Sequence, residues 1–241
     1  MKLLEKELKC KRKAIFFDLE GTQNTSEIIA IGAIKVSLDA KFNVKNIEKK
    51  TFKMLVKSIG RVGPIVSRLV HITDQDLARD GVPYLDAMKH FKKFVGNKPE
   101  DYIYVAYGNY DKVMLHKTDA LYEDKNKDFL ITLSKNYLDF SKFLSRFLRN
   151  GKSNTYSLLE AINILGGTPL KNVHDPLCDS RNLLTLYECF LKNKNNLKSE
   201  YRKSISHDNL AYPIQMVVNM LEKGESVTPA DYSFYIDEVF K

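Results

Sequence analysis

Ala14-Ile15-Phe16-Phe17-Asp18-Leu19-Glu20-Gly21-Thr22 opens on four apolar residues and closes on two carboxylates followed by a glycine turn. An Ile- and Phe-rich run of this kind, punctuated by Gly, reads as a central strand. Side chains alternate across a strand, so Asp18 and Glu20 point to the same face at its C-terminal end. Two carboxylates that end an apolar strand are costly unless a cation compensates them, and the pair is suited to gripping divalent cations. The spacing alone is not distinctive, because Glu5/Glu7 and Asp74/Asp76 repeat it. Context separates them, since Glu5 and Glu7 sit in a charged N-terminal segment and read as a solvated face.

Outward from this strand, residues 28–36 (IIAIGAIKV) form a second strand, reached through a polar link, Gln23-Asn24-Thr25-Ser26, fit for a hairpin. Residues 42–56 supply a third strand whose alternation is blurred by the Lys-rich stretch 45–50, and the opening reads as a β-meander. Residues 64–70 suit a short helix, and residues 84–95 a longer one with Leu85, Met88, Phe91 and Phe94/Val95 on one face. Residues 102–107 return as a buried strand closed by Gly108, and a helix begins near Tyr110. Helical spacing of apolar residues recurs over 139–148, over 157–165 before the Gly166-Gly167 stop, and over 175–192, whose stripe includes Leu183, Leu184, Tyr187 and Phe190.

Two further positions carry chemistry. Asp111 follows the 102–107 strand through Gly108-Asn109-Tyr110, and is either a helix N-terminal Asp favoured by the dipole or a third ligand at a strand end. Val173-His174-Asp175-Pro176-Leu177-Cys178-Asp179 places a His five residues before an Asp, with Pro176 suited to a helix's first turn. Asp179 then faces inward one turn into that helix. Taken singly, His174 reads as a loop histidine and Asp179 as a helix-surface charge. Asp175, beside Pro176, is the better N-cap and is assigned a structural role.

At 241 residues and 44% hydrophobic composition, the chain suits one α/β domain with appended elements. The core ends near residue 192. Residues 193–203 are polar and basic, with Asn193-Lys194-Asn195-Asn196 the loosest link, and residues 208–241 supply one or two extra helices. Lys and Arg outnumber Asp and Glu 38 to 30 and cluster at Lys11-Arg12-Lys13, Lys49-Lys50, Lys92-Lys93 and Arg202-Lys203, which is compatible with a polyanionic partner and equally with a soluble Lys-rich surface. Three cysteines without a CxxC pair exclude a structural zinc site and fit a reducing cytoplasm. Residues 1–13 lack a continuous apolar stretch and read as neither signal peptide nor membrane span, so the expected location is cytoplasmic.

The conjunction of Asp-x-Glu on the first strand, Asp after a later strand, and His-x4-Asp near the domain's end resembles the DEDDh (DnaQ-like) 3′→5′ exonuclease family over roughly residues 14–192. Residues 27–36 (EIIAIGAIKV), 71–77 (HITDQDL) and 157–166 resemble accessory stretches of the same family. The resemblance implies a ribonuclease H-like α/β fold, a mixed five-stranded sheet with its first three strands antiparallel, flanked by helices. It implies an exonuclease domain over 1–192 and, over 193–241, a linker with a C-terminal helical extension. Asp18, Glu20, Asp111 and Asp179 would hold two Mg²⁺ or Mn²⁺ ions, hard cations that favour carboxylate, water and phosphate oxygens. His174 would be the general base, imidazole being a group that exchanges protons near neutrality. Gly21 and Thr22 would lie against the terminal nucleotide, and Ile72 would pack against the last bases.

Two departures bear on substrate. Tyr107-Gly108-Asn109-Tyr110-Asp111 is similar to the aromatic-Gly-x-aromatic-Asp version of exoribonucleases, where many DNA-proofreading members carry Asn and Phe at the places of Tyr107 and Tyr110. The first motif reads Asp-Leu-Glu-Gly-Thr where many relatives continue Thr-Thr-Gly. The expected partner is therefore a single-stranded nucleic acid 3′ end, RNA before DNA. The rivals are a DNA repair or proofreading exonuclease, an endonuclease on the same scaffold, and a non-catalytic nucleic-acid-binding module, which the complete residue set argues against. Tyr212, Tyr232, Phe234 and Tyr235 in the tail either stack bases or fill a small core, with core filling the favoured reading.

Overall fold

The computed structural model describes residues 2–122, 127–150, 154–171, 174–207 and 210–240. In chain order these form α1 (Lys2–Glu7), β1 (Lys13–Gly21), β2 (Ile28–Leu38), β3 (Val44–Lys57), α2 (Pro64–Val70), α3 (Asp74–Asp80), β4 (Val82–Pro83), α4 (Tyr84–Val95), β5 (Tyr102–Ala106), α5 (Tyr110–Tyr122), α6 (Lys127–Lys135), β6 (Tyr137–Asp139), α7 (Phe140–Leu144), α8 (Leu158–Ile164), α9 (Pro176–Lys192), α10 (Lys194–His207), α11 (Tyr212–Glu222) and α12 (Pro229–Val239).

The strands form one mixed sheet in the order β4-β3-β2-β1-β5-β6. β1, β2 and β3 are antiparallel, as expected of the meander, and β5 runs parallel to β1 on its other side. The sheet has six strands among the described residues rather than the expected five. The edge strands β4 and β6 are two and three residues long, too short for any alternation to mark them. Pro83 sits in an edge strand, where its missing N–H costs no ladder bond.

Alternation along β1 sorts the core into two layers. Phe16 points to the face covered by α8 and α9, where it meets Tyr187 edge-to-face at 5.3 Å between ring centroids. Ile15 and Phe17 point to the opposite face, where α4, α5 and α6 bring Phe91, Leu115 and Phe129. Asp18 and Glu20 share the parity of Phe16, so the carboxylates emerge on the α9 side.

What lets α9 approach that closely is Gly32. It lies opposite Asp18 in the β1–β2 register, and a Cβ built there would sit 2.1 Å from the Pro176 carbonyl carbon and 2.3 Å from the Leu177 nitrogen. The Ser180 hydroxyl fixes the same junction, 3.0 Å from the Gly32 carbonyl oxygen and 2.7 Å from that of Pro176. Gly32→Ala is expected to push the helix start off the sheet. Both neighbours are backbone and cannot swing aside, so the cost falls in the upper part of the overpacking range, about 2–3 kcal/mol. Thermal unfolding should show Tm lowered by roughly 5–10 °C.

The stretch expected to be a loose link is helical instead, as α10. Leu197 is buried against the α9 layer, and Tyr201 reaches the Phe147 ring at 6.0 Å. The extra helices expected over 208–241 are present as α11 and α12, although Asp208 and Lys241 themselves lie outside the described residues. Their aromatics do not fill a core: Tyr212, Tyr232 and Phe234 are 49%, 44% and 54% exposed. Two short helices packed chiefly on each other cannot cover both of their apolar faces. No helix among the described residues is long and apolar enough to cross a membrane.

Candidate active site

Three elements deliver the candidate residues to one end of the sheet. β1 supplies Asp18 and Glu20 just before its pairing with β2 shifts register at Glu20/Gly21. β5 pairs with β1 only as far as Phe16↔Val105, so the edge of β1 beyond Phe16 lies without a strand partner on that side. Asp111, in the first turn of α5, takes over: its Oδ1 accepts a hydrogen bond from the Leu19 N–H at 2.9 Å. The chain turns from β5 into α5 through Gly108, whose φ of 122° is open to glycine at no steric cost.

α9 supplies the last motif. Asp175 is its N-cap, accepting from the N–H groups of Leu177 and Cys178, with Pro176 in the first turn, as the sequence indicates. Lys53, reaching across from β3, forms an ion pair with Asp175. The Asp179 Oδ2 accepts from the His174 N–H at 2.8 Å, and its Oδ1 lies 3.4 Å from the Asn182 side-chain nitrogen. His174 is held at a left-handed φ of 63°, strained for a non-glycine residue and braced by that bond to Asp179. Val173, which precedes it in the motif, lies outside the described residues. Ligating atoms of Glu20, His174 and Asp179 all lie within 4.8 Å of one another.

The carboxylates repel each other in a partly desolvated cleft. Burial, then the charges of Asp111, Glu20 and Asp179, pushes the Asp18 carboxyl well above its ordinary range. Burial with Asp179 and Asp111 nearby raises Glu20 to about 8, and burial raises Asp111 to about 7 against the opposing Leu19 hydrogen bond. Burial also raises Asp179, opposed by the His174 N–H and Asn182. Asp175 differs: burial pushes it up, but Lys53 and the helix N–H groups bring it below the usual value. A cluster that resists ionisation without a counter-charge, built from hard oxygen donors with a nearby imidazole, fits divalent cations.

This has a sign. Groups whose folded-state pKa lies above the unfolded value stabilise the fold by taking up protons. That contribution is complete below the unfolded pKa, near 4, and is lost as pH rises through the folded values of about 7 and 8. The cation-free chain should therefore melt at higher temperature as pH falls from 9 to 6. Mn²⁺ or Mg²⁺ should raise Tm most at pH 8–9 and little near pH 5, where protons already occupy the carboxylates. Differential scanning fluorimetry over that range checks both trends.

The expected substrate-side residues lie around this cluster. Ile72 is buried beside Val70 and Leu77, and it lines a cleft of about 300 Å³ that His174, Lys53 and Arg79 also line. Gly21 is packed closely, with the position of a Cβ 2.5 Å from the Met114 sulfur. Thr22 is 2% exposed, and its hydroxyl is engaged within the loop, 2.7 Å from that of Thr25 and accepting from the Glu27 N–H at 3.0 Å. Thr22 therefore shapes the turn and does not present its side chain to the cleft.

Sequence reasoning passed over three supports. Glu27 is 2% exposed and accepts from the N–H groups of Ile59 and Gly60 and from the Thr25 hydroxyl, tying the loop after β1 to the loop after β3. Its signal was a charge immediately before seven uncharged, mostly apolar residues, 28–34 (IIAIGAI). Gly32 was signalled by a glycine amid Ile and Ala, where close backbone approach is the usual reason. Lys53 carried no local signal, because its partner lies on a distant helix.

No protein-family model matches the chain. No curated protein matches it either. Solved structures do share its fold. A full-length 3′-exonuclease superposes with a TM-score of 0.59 at 16% identity, over 76% of this chain and 62% of that one. The nuclease domain of 3′hExo, a DEDDh family member bound to rAMP, gives 0.60 at 17% identity, over 78% of this chain and 94% of that domain. Exonuclease I of E. coli, bound to a dT13 oligonucleotide, gives 0.60 at 14% identity, over 86% of this chain and 46% of that enzyme. The chain thus spans less than two thirds of the full-length 3′-exonuclease and of Exonuclease I. The fold is the ribonuclease H-like α/β fold of these exonucleases.

Proposed function

We propose that the protein is a metal-dependent 3′→5′ exonuclease that removes nucleoside 5′-monophosphates from single-stranded 3′ ends, RNA before DNA. The observation that carries this reading is the convergence of Asp18, Glu20, Asp111 and Asp179 from β1, α5 and α9, with His174 beside them, on a fold shared with 3′-exonucleases.

In this reading Asp18, Glu20, Asp111 and Asp179 would hold two Mg²⁺ or Mn²⁺ ions. When bound, such a pair supplies charge stabilisation to the attacking and leaving oxygens of an in-line displacement. His174 accepts the proton of the attacking water as the water oxygen bonds to phosphorus. The bond from phosphorus to the 3′ oxygen of the penultimate nucleotide then breaks, and that oxygen takes up a proton. The bond from the His174 N–H to Asp179 fixes the base relative to the carboxylates it serves. Gly21 and Ile72 flank the terminal nucleotide, and Thr22 contributes by bracing the turn that carries Gly21.

RNA preference rests on the resemblance of Tyr107-Gly108-Asn109-Tyr110-Asp111 to the exoribonuclease version of this motif, with Tyr110 as the residue that meets the ribose. Tyr110 is 57% exposed and shares a hydrogen bond with Ser26 at 2.8 Å, which places an aromatic hydroxyl at the loop following β1. The Tyr107 hydroxyl donates to the Tyr156 carbonyl at 2.6 Å and is structural. The solved relatives include complexes with rAMP and with dT13, so the fold itself accommodates either sugar. Matched 3′-labelled RNA and DNA single strands, with Mg²⁺ or Mn²⁺ and with a chelator, test this. RNA should be degraded faster by about tenfold, the value of one added hydrogen bond to a 2′-hydroxyl. The chelator should stop both. Faster DNA release would move the protein to repair or proofreading, and no release from either would favour the binding-module alternative.

A further inference from the structure

The C-terminal hairpin of α11 and α12 leaves Tyr212, Ile214, Leu221, Phe234, Val239 and Phe240 exposed, Phe240 at 85%. Residues 212–221 carry no charge at all. Residues 210–240 hold five carboxylates, Glu222, Glu225, Asp231, Asp237 and Glu238, against Lys223 alone, in a chain whose net charge is +8. An acidic, apolar hairpin repels a phosphate backbone, so its occupant is a basic protein surface with apolar ground.

This chain offers one. A cleft of about 560 Å³ between α4 and α6 has Met88, Phe129 and Leu130 on its lining and Lys89, Lys92 and Lys93 around it. Lys89 is paired with Asp86 at 2.9 Å, which leaves Lys92 and Lys93 to meet a partner. Phe240 with Asp237, one helical turn before it, is the complementary set: an exposed aromatic ring with a carboxylate on the same side of the helix. The hairpin is carried by α10, which packs against α9 on one face of the sheet, whereas the cleft lies on the other face, so a hairpin does not reach its own cleft.

We propose that the α11–α12 hairpin docks into the α4–α6 cleft of a second copy of this chain, Phe240 entering the cleft and Asp237 facing Lys92 and Lys93. Sedimentation velocity of the full chain at micromolar concentrations, at low and high salt, tests it. The expected result is self-association that weakens with salt. Phe240→Ala, and separately Lys92→Glu with Lys93→Glu, should each weaken it by at least about tenfold. Combining Lys92→Glu and Lys93→Glu with Asp237→Lys should restore it in part, a recovery that misfolded variants would not show. A chain monomeric under all conditions, or association untouched by the lysine changes, would overturn the proposal. So would Phe240→Ala weakening single-stranded oligonucleotide binding with no effect on self-association.

Discussion

Asp18→Asn is expected to reduce mononucleotide release by about 10³-fold or more while leaving the fold intact, because the proposed function assigns about 4 kcal/mol of transition-state stabilisation to a cation site with this carboxylate at its centre. Asp18 faces Asp111, Glu20 and Asp179 at once, and its carboxyl is pushed far up by burial and by those three charges. Removing its charge relieves repulsion in the cation-free chain. The variant should therefore melt at a higher temperature than wild type at pH 8–9 without divalent cations, and should lose most of the stabilisation they confer. A structural Asp would behave oppositely, its amide variant melting lower. Paired melting curves and a 3′-end release assay distinguish the two.

His174→Asn is expected to lower kcat by about 10²–10⁴-fold, the usual worth of a general base, with KM and cation-induced stabilisation close to wild type. Asn is the informative replacement because it tolerates the left-handed backbone at φ 63° and keeps the N–H that donates to Asp179. Loss of cation stabilisation alongside kcat would instead make His174 a ligand, a role its proximity to Glu20 and Asp179 also allows. Steady-state kinetics with saturating Mn²⁺, together with a cation titration followed by melting, separate base from ligand.

The carboxylates were readable from sequence because strand alternation and helix capping are local rules. The parity of Phe16, Asp18 and Glu20 and the Asp175-Pro176 start of α9 needed no tertiary information, and both are seen in the structure. What escaped was set by contacts between distant segments. The short edge strands β4 and β6 exist only because β3 and β5 offer them ladder bonds. α10 was hidden by a sequence with few apolar anchors: Leu197 and Tyr201, one turn apart, hold it to the body. Thr22 was expected to face a substrate, yet the loop turns its side chain inward onto Thr25 and the Glu27 N–H, a closure that depends on Glu27 reaching Ile59 and Gly60. For the aromatics of α11 and α12 the sequence favours a small core and the structure leaves most of them exposed, because periodicity marks an apolar face without saying what covers it.

The most direct test of the central claim is the fate of a 5′-labelled linear single strand and of a covalently closed circle of the same sequence, incubated with the protein and Mn²⁺. The account predicts that the linear strand shortens from its 3′ end one nucleotide at a time, yielding nucleoside 5′-monophosphates, while the circle stays intact. Cleavage of the circle, or a linear strand left whole under conditions where Mn²⁺ stabilises the fold, would contradict it.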